Sequence, residues 1–288
     1  MNTARIGIVG GSGLYELPGL QDVREHRVDT PYGAPSDVLV TGRLGEAELV
    51  FLPRHGRGHR LIPSEVPYRA NIWALKQLGC GWVVSVSAVG SLREAIEPGH
   101  AVLVDQFIDR TRQRPQTFFG QGVVAHVAMG DPTCEVLRGY LQQACEAVGV
   151  TTHPRGTYVC MEGPAFSTRA ESEMYRAWGA DVVGMTNLPE AKLAREAELS
   201  YATLAFATDY DCWREGHDDV TVEQVIAVLM ANVGKARQIL VHAVKAIAAH
   251  EGPPPGHDAL ATAILTDLVT ADPTAIERLQ PLLEKYLP

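Results

Sequence analysis

The chain has no pair of cysteines spaced as C-x-x-C, although it carries five: Cys80, Cys134, Cys145, Cys160 and Cys212. That lack removes the zinc knuckle and the dithiol redox motif. Most of the five lie in apolar runs and read as reduced, buried thiols of a cytoplasmic protein. Basic charge is also scarce: 25 Lys and Arg face 34 Asp and Glu, and the formal net charge of −9 argues against a nucleic-acid binder. No uninterrupted apolar segment is long enough to cross a bilayer, so no membrane partner is expected. A strand pattern begins at Arg5, and no signal peptide is expected before it. Internal repeats are absent, and the only biased stretch is a short run of prolines.

What is present is an ordinary globular composition, 46% hydrophobic over 288 residues, enough for a large core. Short apolar runs that suit buried strands alternate with helical patterns. The runs are Arg5 to Val9, Leu49 to Leu52, Trp82 to Val86, Ala101 to Val104, Thr157 to Met161, Val182 to Thr186 and the stretch from Tyr201. Between them, helices are expected from Pro67 to Leu78 with Gly79 as the stop, and from an Asp131-Pro132 start to Val148. Thr168 and Glu171 have capping-box spacing, Pro189 opens a further helix, and Thr221-x-x-Gln224 caps the longest one. The alternation predicts an α/β fold, a mixed and largely parallel sheet flanked by helices. Gly252-Pro253-Pro254-Pro255-Gly256 divides a catalytic domain, residues 1–250, from a linker and helical tail, residues 251–288. Leu260 to Leu268 and Pro273 to Tyr286 carry the helical patterns of that tail.

The chemistry gathers where the predicted strands end. Tyr201 to Ala207 is an apolar run that closes on two acids, Asp209 and Asp211. Open α/β sheets bind ligands at such carboxyl ends, and the i, i+2 spacing aims both acids one way if the strand continues. An isolated D-x-D is more often a pair of solvated loop acids. Gly10-Gly11-Ser12-Gly13 makes a turn whose amides suit an anion, but Glu16 occupies the third glycine position of a dinucleotide fingerprint. Arg54, His55, Arg57 and His59 crowd the end of another strand, where the planar fork of Arg54 suits phosphate. Ser87 and Ala88 lie among small residues that let a ligand approach the backbone. An anion site beside two acids suggests group transfer to phosphate. No His, Cys and Asp cluster has convincing metal spacing, so neither metal nor cofactor is expected beyond phosphate as co-substrate.

Several collinear motifs sharpen this reading: G-G-S-G-L (10–14), R-H-G-R-G-H (54–59), G-S-L-R-E (90–94), E-G-P-A-F-S-T-R-A-E (162–171), M-T-N-L-P-E-A (185–191) and A-T-D-Y-D-C-W (207–213). With D-T-P-Y-G-A-P-S (29–36), Y-R-A-N-I-W-A-L-K (68–76) and D-Q-F-I-D-R-T (105–111), they run from Arg5 to Lys245. In these motifs the chain resembles the trimeric purine nucleoside phosphorylases, in their branch that acts on 5′-methylthioadenosine. The resemblance implies phosphorolysis of that nucleoside to adenine and 5-methylthioribose 1-phosphate, by a homotrimer with active sites at its subunit interfaces. It implies that Ser12, Arg54, His55, Ser87, Ala88 and Thr186 hold phosphate, with Met185 and Ala88 against the ribose. Phe166, Ser167, Asp209 and Asp211 would meet the base. His59, Val222, Val225 and Ile226 would line the 5′-methylthio pocket with His126, the latter supplied by a neighbouring subunit.

The residues also discriminate between bases. Members acting on 6-oxopurines typically carry Glu in place of Ser167 and Asn in place of Asp209. An ionised carboxylate only accepts hydrogen bonds, so it suits an N1 that bears hydrogen and repels the acceptor N1 of adenine. Ser167 lifts that clash, and Asp211 rewards the 6-amino group. Phosphorolysis of methylthioinosine, or of inosine, guanosine or adenosine, is the alternative.

Overall fold

The computed structural model describes residues 3–11, 13–14, 16–214 and 222–287, the side chains of 222–227 and 229–231 excepted. Eleven strands run through them: β1 (Arg5–Gly10), β2 (Gln21–His26), β3 (Leu39–Leu44), β4 (Ala47–Pro53), β5 (Trp82–Ser91), β6 (Ala101–Val104), β7 (Gln106–Asp109), β8 (Thr152–His153), β9 (Thr157–Cys160), β10 (Val182–Gly184) and β11 (Ser200–Asp209). The helices are α1 (Tyr68–Gln77), α2 (Glu135–Val148), α3 (Arg169–Ala177), α4 (Asn187–Glu196), α5 (Val222–Ala248) and α6 (Pro273–Leu283).

All the strands join one sheet, and β5 is its hub. It pairs in parallel with β1 along one edge and with β11 along the other, and its last two residues pair antiparallel with β10. From β1 the sheet runs on through a parallel β4 to antiparallel β3 and β2. From β10 it runs through β9 to β7, both parallel, while β11 carries antiparallel β6 and then β8. The sheet is therefore mixed, with parallel pairs in the majority, as the alternation of strands and helices leads one to expect. The outer hairpin β2–β3 has no such signal, because β2 is exposed along nearly its whole length and shows no buried face.

Each inner strand feeds two cores because successive side chains point to opposite faces. Ile6, Ile8, Leu49 and Phe51 face α2 and α5, where Leu137, Leu141, Ile239 and Leu240 cover them. Val9, Val50 and Leu52 face the other way, onto Ile72 and Leu75 of α1 and Leu193 of α4. Burying one such side chain is worth roughly 1.5–3 kcal/mol. A smaller cluster beneath the far end of β5 joins Leu92, Tyr175, Val183, Tyr210 and Trp213.

Helix ends mostly follow local chemistry. Gly79 stops α1 in the left-handed region at φ 77°. Thr168 and Glu171 form the reciprocal capping box of α3. The start of α2 departs from expectation: Cys134, not Asp131, is its N-cap, with Sγ accepting from the Leu137 amide. Cys134 N–H is drawn to the Tyr201 carbonyl at 2.7 Å, and this tertiary bond outweighs the proline signal. β10 ends at Gly184, so Met185 and Thr186 lie beyond the strand. The Thr221 capping box falls outside the described residues.

Residues 251–287 pack back on the core. Leu260, Leu279, Leu282 and Leu283 are buried against Phe118, Phe119 and Val123. The pattern Leu260 to Leu268 forms turns rather than a helix, because it is spent on a bridge between Ala125 and Ile264. Bonds from Leu265 N to Val124 O and from His126 N to Ala263 O, each 2.9 Å, extend that bridge. Glu198 ties the tail down: its Oε1 accepts from Leu260 N at 2.9 Å and Tyr286 OH at 2.5 Å, and Lys285 lies 2.5 Å from its Oε2. Among the described residues no helix is long and apolar enough to cross a membrane. Glu198→Ala is expected to lower the unfolding free energy by about 2–4 kcal/mol, because it strands the buried Leu260 amide and takes the charged acceptor from Tyr286. Urea titration, with limited proteolysis mapping new cleavage beyond residue 255, checks this.

Candidate active site

β4 and β5 lie on either side of β1, and Arg54 follows directly from Pro53 at the end of β4. The residue is 3% exposed, and almost all of its guanidinium donors are taken. Nε donates to Glu190 Oε2 at 2.8 Å and Nη2 to Glu190 Oε1 at 3.1 Å, a two-point fork. Nη2 also donates to Ser85 Oγ at 2.6 Å and Nη1 to the Val86 carbonyl at 3.2 Å. Burial alone would depress the guanidinium pKa, but the Glu190 carboxylate outweighs it and raises the value. Of the five N–H donors of an arginine, only one Nη1 hydrogen is left for a ligand. The sequence suggested a free fork for phosphate; the fork is given to Glu190 instead. Glu190 lies inside the M-T-N-L-P-E-A motif, and a buried acid in the first turn of a helix was the signal for it.

The same acid organises the neighbourhood. Glu190 Oε1 accepts from Ser85 Oγ at 2.7 Å and Tyr201 OH at 2.9 Å, and Asn187 Nδ2 donates to both hydroxyl oxygens. Thr186, 6% exposed, is the N-cap of α4, and its amide donates to Tyr158 OH at 3.3 Å. The Ser87 side chain lies beside the same phenol. Gly184 makes room for that phenol, since a Cβ there would lie 2.1 Å from its oxygen. Arg54, Ser87 and Thr186 thus converge through Ser85, Glu190, Asn187 and Tyr158. Ser87 and Ala88 sit within β5 rather than at its end, because the strand continues to Ser91.

His55 is half-buried beside Arg54. Its Nδ1 bonds the Leu61 carbonyl at 2.8 Å, which makes Nδ1 the protonated nitrogen of the neutral ring. Burial, then the Arg54 charge, pull its pKa down to about 4. The ring stacks on His59 with centroids 4.2 Å apart.

Asp209 and Asp211 stand farther along the same sheet. β11 carries a bulge between Ala207 and Asp209, after which Asp209 pairs with Gly90. Gly90 lies three steps beyond Ser87 on β5, which puts the acids ~10 Å from the Ser87 end. Gly90 gives the acids room, since a Cβ would meet Asp209 Oδ1 at 3.0 Å and Asp211 Cβ at 3.3 Å. The strand does not persist to Asp211, whose φ is 51°, so the two acids do not simply share a strand face. Asp209 Oδ1 instead accepts from the Asp211 amide at 2.8 Å, and Oδ2 from Thr208 Oγ1 at 2.6 Å. Asp211 Oδ2 is enclosed without a partner among the described residues, as is the Ser172 hydroxyl. Burial raises both carboxyl pKa values, and the Asp209 charge adds to the rise at Asp211.

Between the two ends, Arg114 was not anticipated. It is buried and donates to the Met185 carbonyl at 2.6 Å, the Leu188 carbonyl at 2.7 Å and the Glu162 carbonyl at 2.7 Å. One side chain thereby fixes the loops that carry Met185 and Phe166. Phe166 is 46% exposed, and the Ser167 carbonyl accepts from Cys212 Sγ at 3.3 Å. The exposed His126 makes no side-chain hydrogen bond to this cluster among the described residues. Ser12 and the Val222, Val225 and Ile226 side chains lie outside the described residues.

Residues 5–245 match the family model of the phosphorylase superfamily. The chain belongs to the phosphorylase superfamily. It is 56% identical to the S-methyl-5′-thioadenosine phosphorylase of Geobacter sulfurreducens, an alignment covering 98% of this chain and 99% of the relative. Among solved structures, a methylthioadenosine phosphorylase from an antarctic soil metagenomic library superposes with a TM-score of 0.93 at 50% identity, covering 98% of this phosphorylase and 100% of that chain. The methylthioadenosine phosphorylase of Schistosoma mansoni in complex with adenine gives 0.83 at 42% identity, over 86% of this chain and 93% of that one.

Two outcomes test this geometry. Glu190→Ala leaves a buried guanidinium unpaired and is expected to cost about 3–5 kcal/mol of stability, more than the Arg54→Met/Glu190→Ala double change. Chemical denaturation of the set measures the difference. For His55, the folded value near 4 lies below the ordinary 6.5, so the unfolded chain binds the proton first as pH falls. The contribution is present above pH 6.5 and is lost toward pH 4, about 3 kcal/mol in all. His55→Asn, which retains a donor for Leu61, is expected to flatten that part of the stability–pH curve.

Proposed function

We propose that this phosphorylase cleaves 5′-methylthioadenosine with inorganic phosphate, giving adenine and 5-methylthioribose 1-phosphate. The observation that carries this reading is the ~10 Å spacing along β5 between the Ser87 end, beside Arg54 and Thr186, and the Asp209–Asp211 pair. A ribose and the near edge of a purine fit that gap. The relatives' substrate supports it, as does adenine in the Schistosoma enzyme.

In this reading phosphate lies against the free Nη1 hydrogen of Arg54, the Ser87 and Thr186 hydroxyls, the Ala88 amide and Ser12. One phosphate oxygen attacks the sugar C1′ as the C1′–N9 bond breaks. The sugar gains oxocarbenium character, which the anion stabilises, and the departing purine gains negative charge. Asp209, whose carboxyl pKa is raised by burial, delivers a proton to N7 and leaves neutral adenine. Asp211 Oδ2, enclosed and unpartnered, accepts from the 6-amino group. Met185, held by Arg114, supports the ribose, and Phe166 with Ser167 closes over the base. No metal or organic cofactor takes part.

His59 reaches the 5′ substituent from the same chain, with Val222, Val225 and Ile226. His126 does so from a neighbouring copy in a cytoplasmic homotrimer. Its exposure, and the absence of a side-chain hydrogen bond from it to the cluster among the described residues of its own chain, support that exchange.

Base release from methylthioadenosine, with and without phosphate, tests the reaction. Adenine is expected only with phosphate present, and release without phosphate would overturn the reading. Asp209→Asn is expected to lower kcat roughly 10²–10⁴-fold with little change in the phosphate KM. Because the active form of Asp209 is protonated and its pKa is raised, kcat/KM is expected to fall as pH rises through that value. An alkaline limb unchanged in Asp209→Asn would remove the acid from this role.

A further inference from the structure

The bulge in β11 falls beside the acid on which the proposed reaction depends. Ala207 pairs with Val89 and Asp209 with Gly90, so Thr208 is the extra residue, inserted within a single step of β5. Neighbours along a regular strand point to opposite faces, which keeps the side chains of residues i and i+1 apart. A bulge re-aims one of them, and bulges in parallel pairs are rare. Here it swings the Thr208 hydroxyl onto the carboxyl of the next residue. Ala207 is held on the other side: its N–H donates to the His100 carbonyl at 3.0 Å, and its carbonyl accepts from Gly99 N at 2.8 Å.

Two acceptors compete for the Thr208 hydroxyl proton. Asp209 Oδ2 lies at 2.6 Å and the Val89 carbonyl at 3.3 Å. Hydroxyl donors sit about 2.5–3.0 Å from their acceptors, with ionised acceptors at the short end. The carboxyl therefore takes the bond. Thr208 is 5% exposed, so water is no ready substitute for it. An oxygen that accepts such a bond is a poor seat for the acid's own proton, which is left to Oδ1. The Asp211 amide at 2.8 Å occupies one lone pair of Oδ1 and leaves the other.

We propose that Thr208 is a positioning residue for proton transfer to the departing base, an inference that rests on Asp209 being the acid of the proposed reaction. Its hydroxyl keeps the acid proton on Oδ1, available to N7, and steadies the carboxylate that remains. The Oδ1–H bond breaks as the N7–H bond forms, the electron pair stays on the carboxylate, and Thr208 keeps its own proton throughout.

The surroundings give this bond its weight. Burial raises the Asp209 carboxyl, while the Thr208 hydroxyl and then the Asp211 amide pull it back. β5 meets the acid with Val89 and Gly90, beside Val183 of β10, all uncharged. Of the titratable groups nearby, Asp211 follows on the same segment, and Cys212 and Tyr175 of α3 lie close enough to feel its charge. His100 turns its ring to His153, Arg169 donates to the Cys212 carbonyl, and Arg214 pairs with Glu94.

Profiles of kcat and kcat/KM against pH, with methylthioadenosine as substrate, test the assignment in wild type, Thr208→Val, Thr208→Ala, Thr208→Ser and Asp209→Asn. Valine keeps the branched shape without the donor, and serine keeps the donor. The donor favours the ionised acid, so its loss raises the pKa of Asp209. Thr208→Val is expected to lower kcat about 10–100-fold and to move the alkaline limb up by about one pH unit, with the phosphate KM unchanged. Thr208→Ala is expected to shift the limb alike, so the test does not hang on one variant, and Thr208→Ser to restore it. A wild-type limb in both the valine and alanine proteins would overturn the proposal. So would a serine protein that shares their shift, since the bulge rather than the hydroxyl would then be at fault. Asp209→Asn tells this failure from that of the underlying reading. If it lacks the limb, the acid stands and only the role of Thr208 is lost; if it retains the limb, both are.

Discussion

The contact between Arg54 and Glu190 is the constraint on which the rest of this structure leans. It joins the end of β4 to the first turn of α4, and through Ser85 it reaches into β5. Two buried charges are costly to desolvate, and the cost is offset only where geometry is good and the remaining polar atoms are satisfied. Here they are. Glu190 collects the guanidinium and two hydroxyls, while Arg54 turns its spare donors on carbonyls and Ser85. A pair so fully engaged has one low-energy arrangement, and it holds Thr186 and Ser87 in register on either side.

β5 gives that arrangement its length. A strand that paired only with β1 and β11 would present one ligand-binding edge. By running on to Gly90 and Ser91 and bonding β10, it carries the Ser87 end and the acid end on a single rigid element. The bulge in β11 then sets Asp209 against Gly90. The distance between the two chemistries is thus a property of backbone geometry rather than of loops.

Much of this was readable from residue order. The buried strands announced themselves as apolar runs, and α3 by its Thr168–Glu171 box, because those signals are local. Asp209, Arg54 and Thr186 were findable because polar residues at the ends of apolar runs have few structural excuses. What stayed hidden depends on partners far away in the chain. Nothing near Arg54 reveals that its fork is spent on an acid well over a hundred residues later. Arg114 sits in an unremarkable loop, and its role exists only once three carbonyls converge on it. Cys134 caps α2 because Tyr201 draws its amide, a contact no local pattern encodes. β2 escaped for the opposite reason: an exposed outer strand has no buried face to write into its sequence.

The tail's hold on residues 118–126 bears on the order in which this protein is made. Phe118, Phe119 and Val123 are covered by Leu260, Leu279 and Leu283, which leave the ribosome well over a hundred residues later. A nascent chain that has already assembled its sheet still exposes that apolar wall, and Glu198 still lacks Leu260 and Tyr286. Native structure in this region therefore waits for the residues from Leu260 on, and any product cut short before Leu260 carries a sticky, charge-frustrated surface that quality-control proteases and chaperones can recognise.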